Sequence, residues 1–236
     1  GLVKIYHFTI TDGLGERPLM EGQALNTDIQ KLVFCSRDVL AIGGGLANQS
    51  SRQFMSIIRI METAKEFKLM CDGTGGPTKP VNDVAYVDGM VAFASDDRSV
   101  TIFKISEKAA IFYKAYSDYG GLVGRVIISE DGQYIGYGSG GSNGKFLTRS
   151  IDSDAQPEEH TLGYPTGKIY FDSGIIKSAE YTNRCDGPKG VIKTVLSKQD
   201  KLQAFDHVGS QVYSLPACGT LGGIETINDT FVAKAD

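Results

Sequence analysis

What most constrains the fold of this chain is its punctuation. Apolar runs of 5–8 residues, rich in Val, Ile, Phe and Tyr, are separated by Asp-Gly, Gly-Gly, Asn-Gly and Asp-Asp pairs. Such pairs supply the positive-φ and side-chain-bonded positions that tight turns need, so the text reads strand, turn, strand. Glycine makes up 29 of 236 residues, about 12% against the usual ~7%, in keeping with many turns. Helical periodicity is almost missing. Only residues 55–68 space apolar side chains at helical intervals, and Ser56-Ile57-Ile58-Arg59-Ile60 inside that window reads better as a strand. The expectation is an all-β chain.

The strands recur in groups. The clearest group spans residues 81–117, with strands at 82–87, 90–95, 100–105 and 110–115 and Asp97 in a turn. A second spans 122–163, with strands at 124–129, 134–139 and 145–151 and a Glu130-Asp131-Gly132 turn. An earlier group, 29–70, offers strands at 30–35, 39–42, 55–61 and 66–70. A later one, 175–216, offers 176–181, 191–197, 202–205 and 212–215, while residues 165–173 fit no strand of these groups. The units resemble blades of a WD-repeat β-propeller, although tryptophan is absent and Phe103 stands where the WD tryptophan would. The second strand of such a blade lies near a crowded axis and favours small residues, a demand met by Ala92, Ala94, Gly136 and Gly138. Residues 223–227 and 230–236 read on into residues 1–8 as the text of one blade. The N- and C-terminal strands are therefore expected to share a blade and close the ring, removing two exposed edges. The expected architecture is a single WD-like β-propeller domain over residues 1–236, with five to seven four-stranded antiparallel blades.

Charge and composition exclude several functions. Lys+Arg number 24 against 28 Asp+Glu, net −4, which argues against a broad nucleic-acid footprint. The longest apolar run is too short for a bilayer, so no membrane segment is expected within the chain. The chain opens on Gly1 and reads as a processed start, compatible with removal of a targeting or anchoring segment. Cys35, Cys71, Cys185 and Cys218 form no C-x-x-C pair. The expectation is reduced thiols rather than a zinc site or a disulfide framework.

One segment carries the strongest chemical suggestion, Ala41-Ile42-Gly43-Gly44-Gly45-Leu46-Ala47-Asn48-Gln49-Ser50-Ser51. It reads as a long, glycine-rich link between the second and third strands of the first group. Three consecutive glycines open backbone conformations closed to other residues. Neither a Gly-Lys-Ser/Thr nor a helix follows, which excludes a P-loop and a dinucleotide fingerprint. The alternative is a bulged or flexible turn.

The order of apolar strand, Gly-Gly-Gly loop, Asn and apolar strand resembles the first blade of the endoplasmic-reticulum exchange factor of the COPII coat, the prolactin regulatory element-binding protein family. Residues 81–105, with Asn82, Asp96-Asp97 and a Val-x-Ile-Phe strand, resemble that family's second blade, and Ser178-Ala179-Glu180-Tyr181 with residues 190–195 a later one. The resemblance implies guanine nucleotide exchange on the small GTPase of the COPII coat at the cytosolic face of the endoplasmic reticulum. It implies a potassium ion held near Gly43, Gly44 and Gly45, Asn48 as the exchange residue, and Leu46, Ala47 and Gln49 as partner contacts. A non-enzymatic propeller scaffold is the alternative.

Other candidates favour structural readings. Gly138-Ser139-Gly140-Gly141-Ser142-Asn143-Gly144 reads as a long blade turn. Asp96-Asp97 reads as a turn ordered by side-chain to backbone hydrogen bonds. Asp152, Asp154, Glu158 and Glu159 read as a solvated connection, and nothing singles out a glycosidase carboxylate pair. His7, His160 and His207 are scattered without metal or triad spacing. Tyr113, Tyr116 and Tyr119 suit either a binding face or a strand end with its loop.

Overall fold

Alternation of buried side chains sets the architecture. In a computed structural model of the chain, residues 1–6, 17–46, 53–138 and 145–159 are described in full. For residues 8–9, 13–14, 160–161, 166–172, 175–180, 191–197, 205–206, 221–227 and 230–235 the backbone is described. All regular elements among them are strands. They fall into two compact units, Gly1–Val123 and Gly124–Asp236.

The first unit begins with β1 (Leu2–Ile5), the short pair β2 (Phe8–Thr9) and β3 (Gly13–Leu14), and β4 (Met20–Gln23), which pairs antiparallel with β1. A four-stranded antiparallel sheet follows, in the order β5 (Ile29–Phe34), β6 (Val39–Gly44), β7 (Met55–Met61), β8 (Glu66–Leu69). A second has the order β9 (Val81–Val87), β10 (Met90–Ser95), β11 (Val100–Ile105), β12 (Ala110–Tyr116).

β6 shows why the sheets stack. Its side chains alternate with period two, and both faces are buried. Val39 and Ala41 join a core with Ile57 of their own sheet and with Val84, Val91, Phe93 and Phe103 of the next. Leu40 and Ile42 join a second core with Val3, Leu25 and Ile58. The β5–β8 sheet thus has a hydrophobic layer on each face. Phe103 packs edge-on to both Phe93 and Phe112, with ring centroids 6.0 Å apart in each pair, a geometry favoured by the ring quadrupoles. Phe103 is thus buried in the core between the two sheets.

The turns follow residue chemistry. Asp88 (φ +41°) and Gly89 (φ +79°) close the β9–β10 hairpin, the two positive values a type I′ turn needs. Ser95, Asp97 and Ser99 knit the β10–β11 turn. Asp97 Oδ1 accepts from the Ser99 amide (3.0 Å) and hydroxyl (2.5 Å), and Asp97 Oδ2 accepts from the Thr78 amide (2.7 Å). Asn82 donates to Asp96 (2.7 Å) and to the Val123 carbonyl (3.0 Å). The expected Asp-ordered turn is therefore present.

The second unit contains the antiparallel sheet β13 (Arg125–Ile128), β14 (Tyr134–Gly138), β15 (Lys145–Ser150), β16 (Glu158–Thr161). Next come β17 (Thr166–Asp172), β18 (Ile175–Glu180), β19 (Val191–Ser197) and β20 (Phe205–Asp206) as another four-stranded sheet. The hairpin β21 (Leu221–Ile227) and β22 (Thr230–Ala235) completes it. Within the unit β17 lies beside both β13 and β21, so the first strands of successive sheets are neighbours.

Repeated four-stranded antiparallel sheets fit a β-propeller-like, all-β class. Three expectations need correction. Residues 166–172 are the first strand of their sheet, shifting that group by one strand; the expected strand at 212–215 lies outside the described residues. Glu158 and Glu159 belong to strand β16, where Glu159 meets Lys145 at 2.5 Å. Gly43 and Gly44 belong to β6 rather than to the loop after it. In the first two cases an outer or irregular strand lacks the apolar pattern that marks an inner one.

Candidate functional site

The exit from β6 is built from absent side chains. Gly43 pairs with Lys31 of β5 and Met55 of β7. A Cβ on Gly43 would collide with Val81 and Val84 of β9, so the missing side chain lets the neighbouring sheet approach. A Cβ on Gly44 would occupy the space of the Asp28 carbonyl oxygen. Gly45 has φ +112°, a conformation open to glycine, and its Cβ would lie 2.6 Å from the Phe54 ring.

The same three residues are fixed by backbone bonds. The Gly44 amide donates to the Phe54 carbonyl (3.0 Å) and the Gly45 amide to the Asp28 carbonyl (2.8 Å). Gly43, Gly44 and Gly45 are all buried. Two of their amides are thus committed to protein partners, and any ion here would be held by carbonyl oxygens. Beside this strand end Lys31 Nζ lies 3.9 Å from Asp83 of β9.

From this anchor the chain leaves through residues 45–54 before β7 begins. Leu46 is 45% exposed, a large apolar side chain at the start of the connection. Ala47, Asn48 and Gln49 lie outside the described residues, as do His7, His207, Cys185, Cys218 and residues 139–144. So does the side chain of His160. The structure therefore brings together Gly43, Gly44, Gly45 and Leu46 of the expected site.

The remaining candidates have structural surroundings. Tyr116 and Tyr119 are buried, and Lys104 Nζ sits 3.6 Å above the Tyr113 ring; the three do not form one exposed face. Cys35 and Cys71 are free thiols in the core between the first two sheets. Burial pushes the Cys35 thiol up to about 12, against a lowering by a backbone hydrogen bond with Ala41. Burial also raises Cys71. Neither is an activated nucleophile, since reactivity needs the thiolate. Among the described residues no three His, Cys, Asp or Glu side chains cluster as metal ligands, and no helix is long and apolar enough to cross a membrane.

One feature of the same unit leaves no mark in the sequence. Gln23, Asn26, Gln53 and Ser56 gather around a cavity. They come from separate elements and make no motif, so only the fold could reveal them. A comparison with protein-family models and with curated proteins finds no match to this chain.

Proposed function

We propose that this chain is a WD-like β-propeller, closed by its N- and C-terminal strands, that acts as a guanine nucleotide exchange factor. Its partner would be the small GTPase of the COPII coat, met at the cytosolic face of the endoplasmic reticulum, where exchange starts vesicle coat assembly. The observation that carries this reading is the exit of β6. A buried, double-clamped glycine strand end launches a long connection with an exposed Leu46 at its root, and rigid scaffolds carry functional loops in this way. Asn48 would contact the GTPase, helped by Leu46, Ala47 and Gln49, with a potassium ion held by carbonyls around Gly43–Gly45.

The chemistry required is conformational. A protein that binds the nucleotide-free GTPase more tightly than the loaded form weakens nucleotide binding by that differential affinity. No proton transfer or covalent step is involved. A non-catalytic binding platform is the second reading, favoured by exposed Leu32 and Phe34 on the sheet-edge strand β5.

The test is release of a fluorescent guanine nucleotide from the COPII GTPase, with and without this protein, in potassium and in sodium buffer. Faster release that falls with Asn48→Ala, and falls again in sodium, supports exchange through this loop. Unchanged release by folded protein removes the exchange reading and leaves the platform. Ring closure has its own test, a circular permutant joining Asp236 to Gly1 and opened at residues 62–65. Native-like melting of the permutant supports neighbouring termini, and failure to fold counts against them.

A further inference from the structure

Strand β12 is the outer edge of its sheet. β11 pairs with one side of it, and among the described residues no strand pairs with the other. An edge strand presents a row of backbone donors and acceptors that a further chain can complete. The first of these groups is already used in that way. The Ala110 amide points away from β11 and donates to the Met70 carbonyl, just past the end of β8 (2.8 Å). Backbone groups alternate in direction along a strand, so those of Phe112 turn to the same open side.

The side chains of this edge are apolar where it is open. Ile111 is 64% exposed and Phe112 41%, and as adjacent residues they face opposite sides of the sheet. Phe112 is held in place from two directions. The Phe103 ring meets it edge-on, and Gly75 lets its ring come to 2.5 Å from where a Cβ would stand. The Arg59 guanidinium of β7 donates to the Glu107 carbonyl and ties down the turn that leads into β12. An edge ordered before binding loses less freedom when a partner arrives.

Charge selects the occupant. From the start of β11 to the end of β12 the chain carries Lys104, Lys108 and Lys114 against Glu107, in a protein of net charge −4. Lys108 is exposed in the turn before β12, and Lys104 stands across from Ile111. A second copy of β12 would bring the same three lysines, and lysines on an edge guard it against self-pairing in this way. The same lysines attract an acidic segment. We propose that β12 is a docking edge for an extended acidic peptide of a partner protein, which adds to the sheet as a further strand and lays apolar side chains against Ile111 and Phe112. The proposal uses none of the residues assigned to nucleotide exchange and holds whether or not that activity is found.

The experiment is fluorescence anisotropy of the labelled peptide Glu-Asp-Glu-Val-Phe-Val-Glu-Asp-Glu, titrated with the full chain. The expected result is saturable binding that weakens with added salt. The Kd should rise about tenfold with Lys108→Glu, which reverses a charge, and about tenfold with Ile111→Thr, which removes an apolar contact. The same peptide N-methylated at alternate backbone positions keeps every side chain but cannot pair as a strand, and it should not bind. That arm leaves the protein untouched, so the test survives a variant that fails to fold. No binding of the acidic peptide overturns the proposal. So does equal binding of the N-methylated form, or an unchanged Kd in both variants. Tighter binding of anionic phospholipid vesicles or single-stranded DNA than of the peptide also overturns it, as does a dimer in sedimentation that Ile111→Thr dissociates, which gives the edge to a second copy.

Discussion

β6 and β10 hold the same place in their sheets, second of four, yet leave them in opposite ways. Both are buried along nearly all their length. β10 ends in Ser95-Asp96-Asp97-Arg98-Ser99, and a network of side-chain hydrogen bonds closes the turn at once. β6 ends in Gly43-Gly44-Gly45, whose clamps are backbone bonds and whose neighbours fill the missing side-chain space. The first exit spends its polar residues on architecture. The second is fixed at its root by backbone bonds and close packing, and Leu46 beside that root is exposed. That contrast separates Asp97, a structural aspartate, from the loop that carries the functional proposal.

The sharpest way to break the contrast is at Gly44. Its Cβ would meet a backbone oxygen, Asp28 O, which also accepts the Gly45 amide, so no side-chain rotation relieves the clash. Gly44→Ala should cost about 3 kcal/mol, the upper end for overpacking, measured by chemical denaturation. For Gly43→Ala the nearest atoms are side-chain atoms of Val81 and Val84 rather than backbone, and the cost should be about 1 kcal/mol. Equal costs would mean that Gly43 and Gly44 are not distinguished by what surrounds them.

At the other exit, Asp97→Ala removes the acceptor for Ser99 and Thr78 and should cost about 2–3 kcal/mol. The comparable Asp131 in the β13–β14 turn accepts from Ser129 (2.6 Å) and from the Gln133 amide (3.1 Å). Asp131→Ala, which loses at least these two bonds, should cost about 1–2 kcal/mol by the same measurement. No loss in urea titration would show that this turn does not need its aspartate. Smaller still is Leu46→Ala. Loss of an exposed side chain should move stability by under about 0.5 kcal/mol while slowing nucleotide exchange, if the loop is the partner surface. A large stability loss would instead make Leu46 part of the fold.

Inner strands were legible from sequence because both of their faces are buried. The expected 90–95, 100–105 and 55–61 coincide with β10, β11 and β7. Strands with one wet face were not. β16 reads Glu158-Glu159-His160-Thr161 and looks like a loop; Glu158 and Glu159 are exposed, and pairing with β15 makes the segment a strand. β4 was missed for a related reason. Met20-Glu21-Gly22-Gln23 has no apolar alternation, and Gly22 is there to admit Phe67. The glycine run was recognised, but its first two members belong to a strand, because close approach by Val81 and Asp28 replaces the side chains that usually mark one. Asn48, Ala47 and Gln49 rest on resemblance alone. The cavity around Ser56 escaped because its walls meet only after β4, β7 and β8 are assembled.

The smallest effect expected near neutral pH concerns the core that the two contrasted strands share. Cys35 is 6% exposed, and burial raises its thiol to about 12. In the unfolded chain a thiol ionises near the ordinary value of 9.0. The folded state therefore holds a proton that the unfolded state releases between these values. The sign follows from linkage. This contribution is fully present below pH 9 and is lost as the pH rises toward 12, so alkali destabilises the fold through this residue while pH 6–8 leaves it unchanged. At pH 8 the same burial should make Cys35 at least about tenfold slower to alkylate in folded than in denatured protein, read by peptide mass mapping after iodoacetamide. Equal rates would mean that the core between the β5–β8 and β9–β12 sheets opens readily, and that the β6 exit is not the rigid anchor its geometry describes.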